Sequence, residues 1–133
     1  MKLILFTDGG ARGNPGPGAI GIVIKDETGK VIKEIGTHIG KCTNNEAEYK
    51  AVISGVSACY EKGANELECF LDSLLVVSQL NGDFKVKDAR LKNFWTQVKT
   101  LEKNFKKVTY THIPRAKNYL ADKIVNEVLD SSH

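Results

Sequence analysis

The sequence predicts an α/β domain: a mixed five-stranded sheet flanked by helices. Leu3–Ile4–Leu5–Phe6 is a continuous apolar run, the pattern of a strand buried on both faces. Strand and helix signals then follow in the order βββαβααβα, a meander leading into βα units. Acids stand where these elements meet: Asp8, Asp72 and Asp122, with Glu46 and Glu48 early in the first helix.

The bulk properties bound the answer. The chain has 133 residues, 41% hydrophobic and 26% charged, which suits one globular domain over 1–133 with a proper core. No internal repeat, low-complexity tract or linker interrupts it. Only four apolar residues follow Lys2 before Thr7 and Asp8, so no leader is expected. No stretch approaches the length of a membrane span, so a cytoplasmic protein is expected. Cys42, Cys59 and Cys69 are odd in number and lack metal-ligand spacing, which points to free thiols in a reducing compartment. The net charge of +3 is too mild to imply nucleic acid by itself. Residues 85–107, however, hold eight basic residues against the two acids Asp88 and Glu102.

The first strand ends at Asp8, and Gly9 and Gly10 let the backbone approach a ligand. Residues 19–24 read as the second strand and 31–39 as the third, joined by the turn Glu27–Thr28–Gly29. Thr43 with Glu46 three residues on reads as a capping box, opening a helix that runs to Lys62 and stops at Gly63. Ala47, Ala51, Gly55 and Ala58 give that helix a small-residue stripe for close packing on a sheet. Leu67, Cys69 and Leu71 alternate in the fourth strand, which ends at Asp72. Ser73 opens a short apolar helix over 74–80, broken by Asn81–Gly82–Asp83. An amphipathic helix follows over 88–105, with Leu91, Phe94, Trp95, Val98, Leu101 and Phe105 on one face. Residues 108–113 form the fifth strand, closed by Pro114. Asn118 is the expected N-cap of the last helix, whose stripe is Ala121, Ile124, Val125, Val128 and Leu129. The right-handed crossover rule makes the fourth strand parallel to the first, which brings Asp8 and Asp72 to one sheet edge.

Carboxylates gathered at one edge repel one another and stay ionised only beside a cation. With no His or Cys cluster to favour zinc, hard divalent ions suit them, Mg²⁺ or Mn²⁺. Two such ions about 4 Å apart activate water and stabilise a leaving oxygen in phosphodiester cleavage. Acids in a first helical turn also complement the helix dipole, so capping is the competing reading for Glu46, Glu48 and Asp122.

Four segments, in order and over essentially the full length, resemble the type 1 ribonucleases H. They are Asp8–Gly9–Gly10 with Gly13–Asn14–Pro15–Gly16, and Thr43–Asn44–Asn45–Glu46–Ala47–Glu48–Tyr49. Then come Leu71–Asp72–Ser73 with Val76, Val77 and Gln79, and His112–Ile113–Pro114–Arg115 with Asn118, Ala121 and Asp122. The resemblance implies a ribonuclease H-like fold and a quartet of metal-binding, catalytic acids: Asp8, Glu48, Asp72 and Asp122. Glu46 is then a cap. The resemblance makes His112 a catalytic histidine that moves a proton or aids product release, and implies two Mg²⁺ or Mn²⁺ ions per site. It implies substrate contacts from Gly9, Gly10, Arg12, Asn14, Thr43, Asn44, Asn45, Gln79 and Asn118. The expected substrate is an RNA–DNA hybrid whose RNA is cut to 5′-phosphate and 3′-hydroxyl ends, with double-stranded RNA as a second candidate. The gap from Asn81 to Asp88 has no room for an extra basic helix, so the compact form of the family is expected, acting as a monomer. Trp95 is expected in the core, and the Lys85–Arg90 end of the basic stretch near nucleic-acid phosphates. No separate hybrid-binding module is expected before Asp8, and with it no tight processive binding. A non-cutting binding module and another nuclease of the same fold are the alternatives. The first would be free to lose acids that are all present, and the second does not need Asn44, Asn45 and the glycine loop.

Overall fold

The computed structural model describes residues 1–131; positions 132 and 133 of the expected domain lie outside the described residues. Its strands are β1 (Lys2–Ala11), β2 (Gly16–Lys25), β3 (Val31–Cys42), β4 (Glu66–Leu71) and β5 (Lys107–His112). Its α-helices are α1 (Asn44–Glu61), α2 (Leu74–Leu80), α3 (Ala89–Glu102) and α4 (Tyr119–Asp130). The strands form one sheet in the order β3-β2-β1-β4-β5. β1 is central, antiparallel to β2 and parallel to β4, as the crossover rule requires.

β1 is longer than expected, and the difference places the first acid. Its pairing with β4 ends at Thr7↔Leu71, but its pairing with β2 continues through Asp8↔Gly21 to Ala11↔Gly18. Asp8 therefore stands where one neighbour has run out and the other carries on. The glycines that looked like a loop are strand, because glycine lets α1 come close. A Cβ on Gly9 would lie 2.2 Å from the Ala47 carbonyl oxygen.

α1 lies on one face of the sheet. Leu3, Leu5 and Thr7 point to that face and are buried. A Cβ on Gly55 would meet Leu5 at 2.8 Å, so the small-residue stripe is what admits the helix. The capping box at Thr43 is formed: Glu46 N–H donates to Thr43 Oγ1, and Thr43 N–H donates to Glu46 Oε1 at 2.8 Å. Gly63, at φ +90°, ends the helix. α3 packs beside α1, with Leu91 and Val98 buried in the main core. Trp95 joins that core and donates from Nε1 to the Gln79 carbonyl at 3.1 Å.

α3 ends three residues earlier than its apolar stripe suggested. The chain must reach β5, where the Lys106 N–H donates to the Asn65 carbonyl, so residues 103–106 turn instead of continuing the helix. Phe105 still packs, edge-on to Tyr60 with ring centroids 6.1 Å apart. α4 covers β1, β2 and β3 on the opposite face, seated closely because Gly21 has no Cβ to strike the Ala121 carbonyl. Asn118 stands at the N-cap position of α4, as expected, but its side chain makes no cap bond. It ends a 3-10 turn over Arg115–Asn118, and its amide is used inside the protein instead. No helix among the described residues is long and apolar enough to cross a membrane. The three cysteines are free and buried.

Candidate active site

The carboxylates are delivered by separate elements. β1 brings Asp8, the second turn of α1 brings Glu48, and the residue after β4 brings Asp72. One oxygen from each lies within 4.8 Å of the other two, the one such acid, His or Cys group among the described residues. Asp122, in the first turn of α4, lines the same cavity of about 350 Å³ with Gly9, Gly10, Asn44 and Arg115.

The first helical turn of α1 holds Glu46, which closes the cap and pairs with Arg90 Nε at 3.3 Å. That division matches the capping role expected of Glu46. Glu48 is buried and faces β1, where Oε1 accepts from the Gly9 N–H at 3.2 Å. Its second oxygen, Oε2, is buried with no hydrogen-bond partner. A buried carboxylate oxygen without a partner is costly unless a cation meets it. The donor set is all oxygen, which suits a hard divalent cation.

The electrostatics agree. Burial pushes the Asp8 carboxyl up to about 7, and repulsion from Asp72 and Asp122 adds to it. Glu48 is pushed well above the usual carboxylate range, first by burial and then by Asp8. Asp72 is raised mainly by burial and held back by its hydrogen bond from Asn118. Without a cation, three such groups cannot all ionise at neutral pH without a large cost.

Asn118 explains part of this geometry. Although expected at the substrate, it is buried, and its Nδ2 donates to the Thr7 carbonyl at 2.8 Å and to Asp72 Oδ2 at 3.4 Å. It ties the chain before Asp8 to the carboxylate of Asp72. Gln79 also turns inward. It is buried, and its Oε1 accepts from the Tyr49 hydroxyl at 2.6 Å. A polar side chain beside a core tyrosine satisfies that hydroxyl, which burial would otherwise leave unpaired.

Several surface candidates double as scaffold. Asn44 Oδ1 accepts from the Ala11 N–H at 2.9 Å, and the Asn44 N–H donates to Asn14 Oδ1 at 3.0 Å. These bonds moor the β1–β2 hairpin to the start of α1. Arg12 pairs with Asp130 at the end of α4, 2.5 Å away. Asn45 is exposed at the start of α1, and Thr43 is occupied as the cap. His112 closes β5 opposite Leu71, is exposed, and exerts its field on Asp72. Lys85, Lys87 and Arg90 are exposed, whereas Lys99 is built in, donating to the Leu80 carbonyl at 2.6 Å.

Arg115 was not singled out for a role by the sequence. It is the cation nearest the acids, with Nη2 3.0 Å from Asp122 Oδ1. Its only sequence signal is its place after His112–Ile113–Pro114.

Comparison with known proteins places this architecture. The family model described as reverse transcriptase-like matches residues 6–128. Ribonuclease HI of Halobacterium salinarum is 39% identical over 96% of this chain and 64% of its own length. Ribonuclease H of Erythrobacter litoralis is 31% identical over 97% of this chain and 96% of its own. The bifunctional protein Rv2228c of Mycobacterium tuberculosis is 38% identical over 99% of this chain, which spans 36% of that protein. Among solved structures, RNase H1 of Halobacterium salinarum superposes with TM-score 0.97 at 38% identity, covering 99% of this chain and 100% of that one. LC11-RNase H1 in complex with an RNA/DNA hybrid superposes with TM-score 0.93 at 41% identity, covering 98% of each chain. With the sheet order, the converging carboxylates, and a ribonuclease H and two solved RNase H1 chains matched along nearly their whole length, this chain belongs to the type 1 ribonuclease H family.

Proposed function

We propose that this chain is a divalent-metal-dependent endoribonuclease that hydrolyses the RNA strand of RNA–DNA hybrids. The observation that carries the reading is the convergence of Asp8, Glu48 and Asp72 within 4.8 Å, with Glu48 Oε2 buried and unpartnered. Those three acids and Asp122 would hold two Mg²⁺ or Mn²⁺ ions. Bound there, the cations supply an activated water and charge stabilisation at the departing oxygen.

The chain's own groups do the rest. Asp8 and Asp72 each follow directly on Thr7↔Leu71, the last pair of the parallel β1–β4 ladder, so the ladder beneath them sets their spacing. Asn118 keeps Asp72 in register with β1. In the overall reaction water adds to phosphorus, the bond to the 3′-oxygen breaks, and that oxygen takes a proton. The products end in 5′-phosphate and 3′-hydroxyl. His112 is the exposed group near Asp72 suited to moving that proton. Strand choice requires contact with the 2′-hydroxyl, which DNA lacks. The hairpin backbone at Gly9 and Gly10, moored by Asn44 and Asn14, is the rigid edge that reads it. Arg12, Thr43 and Asn45 flank that edge, and Lys85, Lys87 and Arg90 meet phosphates. Gln79 and Asn118 act from below by holding the scaffold. The domain works as a monomer in a reducing cytoplasm, where its three buried cysteines stay thiols.

The test is one labelled RNA, paired with DNA, paired with RNA, or alone, incubated with Mg²⁺ or EDTA. Wild type is compared with Asp8→Asn. Cutting of the hybrid in Mg²⁺ only, lost in the variant, is the expected result. Cutting of both duplexes widens the substrate class to double-stranded RNA. Binding without cutting under any divalent ion overturns the enzyme reading.

A further inference from the structure

The four acids are not equivalent. Glu48 has an oxygen with no partner, and Asp8, Glu48 and Asp72 face one another. Asp122 stands outside that trio with both oxygens engaged. Oδ1 accepts from Arg115 Nη2 at 3.0 Å, and Oδ2 accepts from Asn126 Nδ2 at 3.4 Å. Asn126 also donates to the Asp122 carbonyl at 3.1 Å, so it rides on the same helix and moves with it. Arg115 does not. It comes from the 3-10 turn after β5, and its side chain is 75% exposed. A long exposed side chain swings away at small cost, and a guanidinium pairs with a phosphate as readily as with a carboxylate.

We infer that Arg115 is an internal counter-ion that competes with a divalent cation for Asp122. This rests on the reading of the acidic cluster as a cation site. In the free protein the guanidinium neutralises Asp122 and keeps the fourth ligand in reserve. A cation at Asp122 must displace it or accept a positive charge close by. A nucleic-acid phosphate offers the displaced guanidinium a new partner. Cation and substrate then favour each other's binding by the same factor. Arg115 acts here through Asp122 and is a positioning residue in that sense.

The experiment is calorimetric titration of Mn²⁺ into the full chain without nucleic acid. The proteins are wild type, Arg115→Ala, Arg115→Lys, Asp122→Asn and the Arg115→Ala/Asp122→Asn double variant. Removing a unit charge beside a divalent ion at a partly exposed site is expected to tighten Mn²⁺ binding about tenfold in Arg115→Ala. Arg115→Lys, which keeps the charge, is expected to stay within about threefold of wild type. In the Asp122→Asn background, Arg115→Ala is expected to change nothing, because the competition has lost its object. General damage to the fold would weaken binding, so tightening is a result that a merely structural role does not produce. Unchanged or weaker Mn²⁺ binding in Arg115→Ala, with wild type binding normally, overturns the inference and leaves the metal reading intact. Absence of Mn²⁺ binding in wild type and every variant overturns the metal reading itself, and the inference with it.

Discussion

Replacing Asp8 by Asn should stabilise the protein when divalent ions are removed. Asp8 is raised from the ordinary 3.8 to about 7, chiefly by burial, with Asp72 and Asp122 adding to it. A carboxyl raised in the folded state holds its proton more tightly there than in the unfolded chain. Its contribution to stability is therefore fully present below about pH 4 and is lost as pH rises towards about 7. The shift is about three pH units, each worth 1.36 kcal/mol, so the ceiling is ~4 kcal/mol of destabilisation above pH 7. The neighbours relax and water enters, so we expect about 2–3 kcal/mol of relief in Asp8→Asn at pH 8, and under about 1 kcal/mol at pH 4. For a chain of 133 residues that is a Tm rise of roughly 7–10 °C. Urea unfolding in EDTA from pH 4 to pH 8 measures it. Millimolar Mg²⁺ should then stabilise wild type and leave Asp8→Asn nearly unmoved, since the ion binds only the folded site. An Asp8→Asn variant no more stable than wild type at pH 8 in EDTA, or a gain that does not shrink on acidification, refutes the reasoning.

Three further outcomes follow from packing. Gly9→Ala places a methyl 2.2 Å from the Ala47 carbonyl oxygen and 2.6 Å from the Glu48 nitrogen, both backbone, so β1 and α1 must separate. We expect about 2–3 kcal/mol lost in urea unfolding, and cleavage lost with the Gly9–Glu48 bond. Tyr49→Phe removes the buried donor to Gln79 and should cost about 1–2 kcal/mol in the same assay, while cleavage of hybrid stays within about threefold of wild type. Asn118→Ala frees Asp72 and leaves the Thr7 carbonyl unpaired, so about 2 kcal/mol of stability and at least tenfold in kcat should go, with KM for the hybrid little changed.

How much of this was legible in the sequence depended on how local the cause was. The helices declared themselves through short-range chemistry: Thr43 with Glu46, Ser73, and Gly63 all act within a few residues. The parallel β1–β4 pair followed from chain handedness, and with it the meeting of Asp8 and Asp72. What escaped was set by distant partners. Gly9 and Gly10 read as a loop because nothing nearby in the chain announces that α1 will press against them or that β2 will pair past Asp8. Asn118 looked like a cap by position, but its amide is claimed by Thr7, 111 residues away. Gln79 looked like a surface contact, but the partner that turns it inward is a tyrosine 30 residues earlier. Arg115 carried no periodic or capping signal; the turn after β5 brings it to Asp122.

The dispersal of the acids along the chain has a consequence for biosynthesis. Asp8 emerges first, yet its partner just after β4 lies more than sixty residues on, and the strap that ties β1 to Asp72 is Asn118. The contacts that assemble the cavity are thus among the most non-local in the protein, and closing such contacts is slow. A partly synthesised chain carries its carboxylates as scattered, solvated acids with no power over a phosphodiester. The cavity is complete only once α4 has docked on the sheet, so a growing chain that stops short of Asp122 lacks the fourth acid altogether.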